Sequence, residues 1–471
     1  MPGQFYKLRS FLILFLTLSI ILANLFLPHP KAQAISIEKE IELGNKFLVS
    51  IKTQFEFLND EFCQDYINQL GRALEQEIEV KPFPFRYYIL KQNDLNAFAG
   101  PGGHIFLYSG LISAMEDVDE LAGVLAHEMG HITARHLSRR LEQGKKISAA
   151  TMAAILAGIF IGGDPGAAIT TGSVAAGIQT QLHYSREDER EADQLGFKYA
   201  SLAGFDPSGL IRALTVIQKN SWMESNKIPP YMRTHPTSPE RIANLESLLR
   251  SFKACPSHNA ETLRRKFPVF KTLVQAKTSD PDKMEQIFKR DLKEGRNVSL
   301  AHLGLGIVYK IKSEYSESAK HLKAALASMP SSVVIWRELG EVYQLTGHYQ
   351  QAVPLFEGIL AQRPDDRKAT LLLAECYENL GQYDKAISLL KRLSFADKVA
   401  PEVYYHLGIC HGRLKKLAFA HFYLGLYFKE LGSLKKARFH FREARRLSEG
   451  NLSLQHKIER ASKGILPAPG S

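Results

Sequence analysis

His127 and His131 stand four residues apart and flank Glu128 in the pentapeptide His-Glu-Met-Gly-His. The surrounding stretch, Asp117 to Gln143, reads as helix. On a helix, residues four apart lie about 40° apart around the axis, so both imidazoles face one way. That spacing suits two ligands of one zinc ion. Glu128, beside them, stays free to take a proton from a water activated there. The pentapeptide alone is moderately specific, since a chain of this length carries it by chance roughly once in a hundred.

A mononuclear catalytic zinc needs a third protein ligand and one open position. Residues 185–193 read Ser-Arg-Glu-Asp-Glu-Arg-Glu-Ala-Asp. Glu189 and Asp193 are four apart and share one helical face. Glu189 can complete the ligand set, and Asp193 can accept the second ring N–H of a ligating histidine and so fix its tautomer. In isolation this run reads as a solvated acidic face, and the upstream histidine pair reverses that preference. His136, nine residues after His127, falls on the far side of the same helix. Unless the helix breaks, it lies outside the ligand set and serves as support or packing.

These side chains need elements to hold them. Val80 to Leu107 alternates and is rich in aromatic and β-branched residues. It predicts two strands joined by the turn Gly-Pro-Gly-Gly at 100–103. A strand with a free edge beside the metal can hold an extended peptide by main-chain pairing, which makes Asn96, Ala97, Phe98 and Ala99 candidate substrate-binding residues. An ordinary hairpin without a ligand is the plainer alternative. His235, in a Pro-rich stretch with Pro229, Pro230 and Pro236, would by itself read as an exposed loop residue.

After about residue 280 a 34-residue period sets in. Tyr315, Tyr349 and Tyr383 keep that step, as do Leu305-Gly306, Leu339-Gly340, Leu373-Ala374 and Leu407-Gly408. This is the tetratricopeptide pattern of helix-turn-helix units that bury their apolar faces by stacking. Leu424-Gly425 follows half a period late, which suggests that one repeat has merged its helices.

Four segments together carry a family resemblance: Asn-Ala-Phe-Ala-Gly-Pro-Gly-Gly (96–103), HEMGHITARH (127–136), SREDEREADQLG (185–196) and Thr-His-Pro-Thr-Ser-Pro-Glu-Arg (234–241). The chain resembles the zinc metallopeptidases related to the CAAX prenyl proteases, in their soluble, periplasmic, repeat-bearing, BepA-like branch. The resemblance implies one Zn2+ on His127, His131 and Glu189, with Glu128 as the catalytic base. It implies that His235 acts as a removable fourth ligand or supports the oxyanion, and that Arg241 meets the substrate carbonyl or its developing charge. It also implies substrates among unfolded or misassembled outer-membrane proteins, and their β-barrel assembly machinery as partner.

The N-terminus bears on the compartment. Lys7 and Arg9 precede an apolar run from Phe11 to Leu27 and a small-residue site ending at Ala34. Residues 1–34 read as a secretory signal cleaved near Ala34, with an uncleaved anchor as the alternative. Its removal takes the net charge from +11 to +8. Residues 401–471 hold 13 Lys/Arg against 5 Asp/Glu, so the basic excess sits at the C-terminal end. That end is a solvated helical face or a surface for an acidic partner or lipid head groups, the latter giving peripheral membrane contact. No motif points to nucleic acid. Cys63, Cys255, Cys376 and Cys410 would enter an oxidising compartment. Cys376 and Cys410 occupy equivalent places in stacked repeats, roughly 9–10 Å apart, too far for a disulfide. The Ala/Gly/Ile-rich segment 147–179 reads as a close-packed helix pair, a mobile lid or a membrane-touching hairpin.

The expected protein is mainly α (α+β). A signal peptide (1–34) precedes a zincin-type, gluzincin-like metallopeptidase domain with a small sheet (35–250). A linker (251–280), a tetratricopeptide solenoid (281–463) and a flexible tail (464–471) follow. Its expected function is a zinc endopeptidase in outer-membrane quality control. The rival readings are a chaperone or scaffold with a latent or structural metal site, and a membrane-embedded protease, which the lack of several long apolar runs opposes.

Overall fold

In a computed structural model of the protein, residues 35–141, 184–223, 229–236, 238–250, 252, 257–395 and 398–466 are described. The expected signal peptide, the segment 147–179, Cys255 and residues 467–471 lie outside them. The chain divides into two compact units, residues 1–59 with 64–265, and residues 60–63 with 266–471.

The first unit opens with α1 (Ile37–Gln54), α2 (Glu61–Glu75) and the strands β1 (Arg86–Leu90), β2 (Ala97–Gly100) and β3 (His104–Tyr108). Then come α3 (Ser109–Ala114), α4 (Val118–Thr133), α5 (His136–Leu141), α6 (Arg186–Leu202), α7 (Ser208–Met223), α8 (Pro230–Thr234) and α9 (Pro239–Arg250). β2 and β3 form the expected hairpin across Pro101–Gly103, where Gly102 and Gly103 have φ of 72° and 86°. Two strands were expected, and the structure has three. β1 pairs parallel to β3, which gives the order β1-β3-β2. Alternation marks strands but not partners, and the polar stretch Lys91 to Asn96 is the break that separates β1 from β2. What joins the strands is packing: Tyr88 stacks on Phe106 at 5.0 Å, Phe106 on Phe98 at 4.9 Å, and Phe47 of α1 closes the cluster. β2 is left at the edge of the sheet.

Local chemistry sets the ends of the two site helices. The Asp117 side chain accepts from Glu120 N–H at the start of α4. α4 stops at Ala134 because Arg135 has φ 53°, and α5 restarts at His136. α6 begins with a capping box between Ser185 and Asp188.

Residues 258–278, inside the stretch expected as a linker, form a 21-residue helix, α10 (His258–Thr278). The second unit continues with α11 (Pro281–Lys293), α12 (Val298–Ile311), α13 (Tyr315–Ser328), α14 (Val333–Leu345), α15 (Tyr349–Gln362), α16 (Arg367–Asn379) and α17 (Tyr383–Ser394). It ends with α18 (Pro401–Arg413), α19 (Leu417–Glu430), α20 (Leu434–Leu447) and α21 (Leu452–Ala461). Ser313, Gly347, Gly381 and Lys415, at 34-residue steps, are all left-handed, with φ from 59° to 75°. Each ends the first helix of a pair so that the second can fold back. The late unit has no merged helix. α19 acts twice, since its Leu424 fills the space at Gly408 and its Gly425 receives Phe441 of α20. It is the second helix of one repeat and the first of the next.

Cys63, Cys376 and Cys410 are unpaired. No helix among the described residues is long and apolar enough to cross a membrane.

Candidate active site

α4 is buried at every position from Val118 to Ile132. Glycines let its neighbours come that close. A Cβ on Gly130 would meet Ala192 O at 2.8 Å, and one on Gly196 would meet His127 N at 2.8 Å. On the other side, a Cβ on Gly123 would meet Leu210 N at 2.6 Å. α4 and α6 therefore touch backbone to backbone, and a side chain as short as Glu189 reaches both histidines.

The Nε2 atoms of His127 and His131 are 3.0 Å apart. Glu189 Oε2 is 3.5 Å from His127 Nε2, and Glu189 Oε1 is 3.4 Å from His131 Nε2. His235, which follows α8, brings its Nδ1 to 2.9 Å from Glu189 Oε1 and 3.4 Å from His127 Nε2. The four donor atoms lie within 4.8 Å of one another, and all four residues are buried.

The far sides of the rings fix the protons. His127 Nδ1 is 2.9 Å from Asp193 Oδ1 and donates to it, so Nε2 keeps its lone pair. His131 Nδ1 is 2.8 Å from His136 Nδ1, and His136 Nε2 is 3.0 Å from Glu191 Oε2. With Glu191 ionised, His136 donates to it, His136 Nδ1 accepts from His131, and His131 Nε2 also keeps its lone pair. Two imidazole lone pairs 3.0 Å apart, facing a carboxylate oxygen, repel unless a cation lies between them. Two neutral nitrogens and one carboxylate fit a divalent metal. His136 reaches this network because the helix breaks at Arg135.

Glu128 is fully buried, and neither of its carboxylate oxygens has a hydrogen-bond partner. Burial raises its carboxyl to about 7, against the opposing pull of His235. His235 Nε2 lies 3.5 Å from Glu128 Oε1. Burial also works against an ionised Glu189, but the neighbouring His235 and Arg241 charges outweigh it and hold that carboxyl well below its usual range.

Arg241 was expected at the substrate carbonyl. Its guanidinium instead holds Asp193 through Nε and NH2, at 2.7 and 2.9 Å, and Glu189 through NH1 at 2.7 Å. It orders the acids behind the metal donors. Asn96 to Ala99 lie on the edge strand β2, which packs against α4, and their side chains are buried. Spacing gave no sign of two further site residues. The Tyr184 ring stacks 3.9 Å from His131, and the Tyr231 ring lies 4.6 Å from His235. Only their place next to recognised motifs could have drawn attention to them.

A zincin-like helix pair with this donor set, followed by a helical-pair array, defines a metallopeptidase-type domain joined to a repeat domain. Comparison with known families agrees: residues 62–249 match Peptidase family M48, and residues 345–407 match a tetratricopeptide repeat. The chain carries a peptidase family M48 domain followed by tetratricopeptide repeats. It is similar to the beta-barrel assembly-enhancing protease of Escherichia coli (strain K12), 26% identical over 305 residues, which cover 63% of this chain and 61% of that one. The enzyme of the same name in Yersinia pestis is 26% identical over 304 residues, 64% of this chain and 62% of its own. Metalloprotease LoiP of Escherichia coli (strain K12) is 28% identical over 190 residues, 40% of this chain and 70% of LoiP. The chain spans between 46% and 62% of the length of the assembly-enhancing proteases it matches.

Proposed function

We propose that the chain is a zinc-dependent endopeptidase of the bacterial periplasm. It acts on unfolded or misassembled outer-membrane β-barrel proteins, and its repeats hold the substrate or the β-barrel assembly machinery. The observation that carries the peptidase reading is Glu128, a fully buried carboxylate without a partner beside three converging metal donors. A purely structural metal has no use for a base there. The names of the similar proteins support the substrate class.

Zinc bound to His127, His131 and Glu189 would supply Lewis-acid activation of the scissile carbonyl and of water. Glu128 takes the water proton and later gives it to the leaving amine. Its burial beside the metal donors suits a group that must both accept and release a proton. Asp193 and His136 hold the histidines in the tautomers that leave Nε2 free. The edge of β2 supports an extended substrate through main-chain pairing, which tolerates many sequences.

The test compares purified protein with its Glu128→Gln variant, measuring bound zinc and cleavage of casein. Zinc in both with cleavage only in the parent is the expected outcome. A protein that binds no zinc ends the proposal.

The position of His235 favours a second reading, in which the site is latent and the repeats act as a chaperone. His235 stands in the fourth donor position, where substrate or water must enter. His235→Ala then raises basal cleavage. Unchanged basal and substrate-stimulated cleavage rules this plug out.

A further inference from the structure

Tyr184 lies at the boundary of the site and has no role in the chemistry above. Its ring centre is 3.9 Å from that of His131 and 5.2 Å from that of His235, with the Arg140 guanidinium carbon 5.1 Å from it. Phenylalanine would make all of these contacts. The hydroxyl is what packing leaves unexplained. Tyr184 is 6% exposed, and its oxygen has no hydrogen-bond partner. A buried polar group left unsatisfied is costly, so such a group needs a reason.

Its surroundings supply one. Tyr184 lines a cavity of about 330 Å³ between α6 and α9, whose floor is Glu189, Asp193 and Arg241. It also lines a small gap next to Ala99, Gly100 and His131, at the end of the edge strand. A peptide leaving β2 for the metal donors would therefore pass the Tyr184 hydroxyl. The other buried phenols whose oxygens lack a hydrogen bond, Tyr108 and Tyr231, line neither cavity.

We propose that the Tyr184 hydroxyl donates a hydrogen bond to the carbonyl oxygen of the scissile peptide as that oxygen gains negative charge, which makes Tyr184 a catalytic residue. This rests on the peptidase reading above. A phenol, with an ordinary pKa of about 10, keeps its proton at neutral pH and so acts as a donor. A donor aimed at the developing charge strengthens in the transition state and leaves ground-state binding little changed.

The test is Tyr184→Phe in the full chain. Bound zinc stays as in the parent, thermal stability is equal or higher because an unsatisfied buried hydroxyl is gone, KM stays within about twofold, and kcat falls by about 10²-fold, the loss typical of one oxyanion donor. A phosphinic peptide mimicking the tetrahedral state binds the variant more weakly by a similar factor, while a product peptide binds both proteins alike. A kcat within twofold of the parent overturns the proposal. So does a fall in kcat that comes with lost zinc or with equal weakening of both peptides, since the ring would then be only a packing element. A parent that fails to cleave removes the peptidase reading, whereas a cleaving parent matched by Tyr184→Phe removes only this inference.

Discussion

Glycine does opposite work in the two units. On α4 and α6, a Cβ on Gly130 or Gly196 would meet backbone, Ala192 O or His127 N, at 2.8 Å. In the repeats, a Cβ on Gly340 or Gly425 would meet a ring, Phe356 at 2.8 Å or Phe441 at 2.6 Å. A ring edge can turn aside, but a helix backbone cannot. The same contrast holds for charge. The first unit buries Glu128, Glu189, Asp193 and Arg241 around a candidate reactive point, with neither Glu128 oxygen hydrogen-bonded and His235 Nε2 3.5 Å from one of them. The repeat unit buries Glu338 between Lys277 and Lys310, where its charge is answered on both sides. One unit holds its elements at fixed separation to keep a site poised, and the other stacks tolerant modules.

The largest expected effect comes from removing the Arg241 cation behind the donors. Arg241→Met leaves Glu189 and Asp193 buried without their partner and should cost about 3–5 kcal/mol. Urea unfolding with a chelator present measures this, and bound zinc should recover part of it. A loss below 1 kcal/mol would show that the site's charges are not held as described.

Gly196→Ala against Gly340→Ala tests the glycine contrast itself. The first should cost up to about 3 kcal/mol and lower metal affinity, and the second about 1 kcal/mol with metal affinity unchanged. Equal costs would erase the distinction between the units.

His136→Phe keeps an aromatic ring but removes the acceptor for His131, so zinc affinity should fall by about 10- to 100-fold. His136→Asn, which offers an oxygen near the Nδ1 position, should recover most of it. Chelator competition reads both variants.

The smallest effect lies in the repeats. Burial opposes a charge on His406, but Glu375 and Glu378 outweigh it and raise its pKa to about 9. A raised folded value stabilises fully below the unfolded value of about 6.5 and fades as pH rises through 9. His406→Gln should therefore lower stability at pH 6 by about 1 kcal/mol and leave it unchanged near pH 10. A pH-independent difference would mean that His406 acts by packing alone.

Much of this was legible in the chain because it is local. Four-residue spacing on a helix follows from the backbone repeat, so His127 with His131 and Glu189 with Asp193 could be paired from their numbers. The 34-residue step likewise gave the repeats, and even the half-step at Gly425 was visible, though not that α19 serves two repeats. The hairpin turn was legible from its glycines. The parallel strand β1 was not, because pairing across the intervening residues depends on which aromatic faces meet.

The sequence by itself determined which residues could bind a metal, which could move a proton and which segments stack as repeats. These depend on periodicity and side-chain chemistry. Only the tertiary structure decided what those residues touch. Arg241 faces two carboxylates, His136 is brought to His131 by a break at Arg135, and Tyr184 is left with a buried hydroxyl and no acceptor. Each depends on how helices distant in sequence approach one another, and glycine contacts set that distance where a Cβ on either helix would not fit.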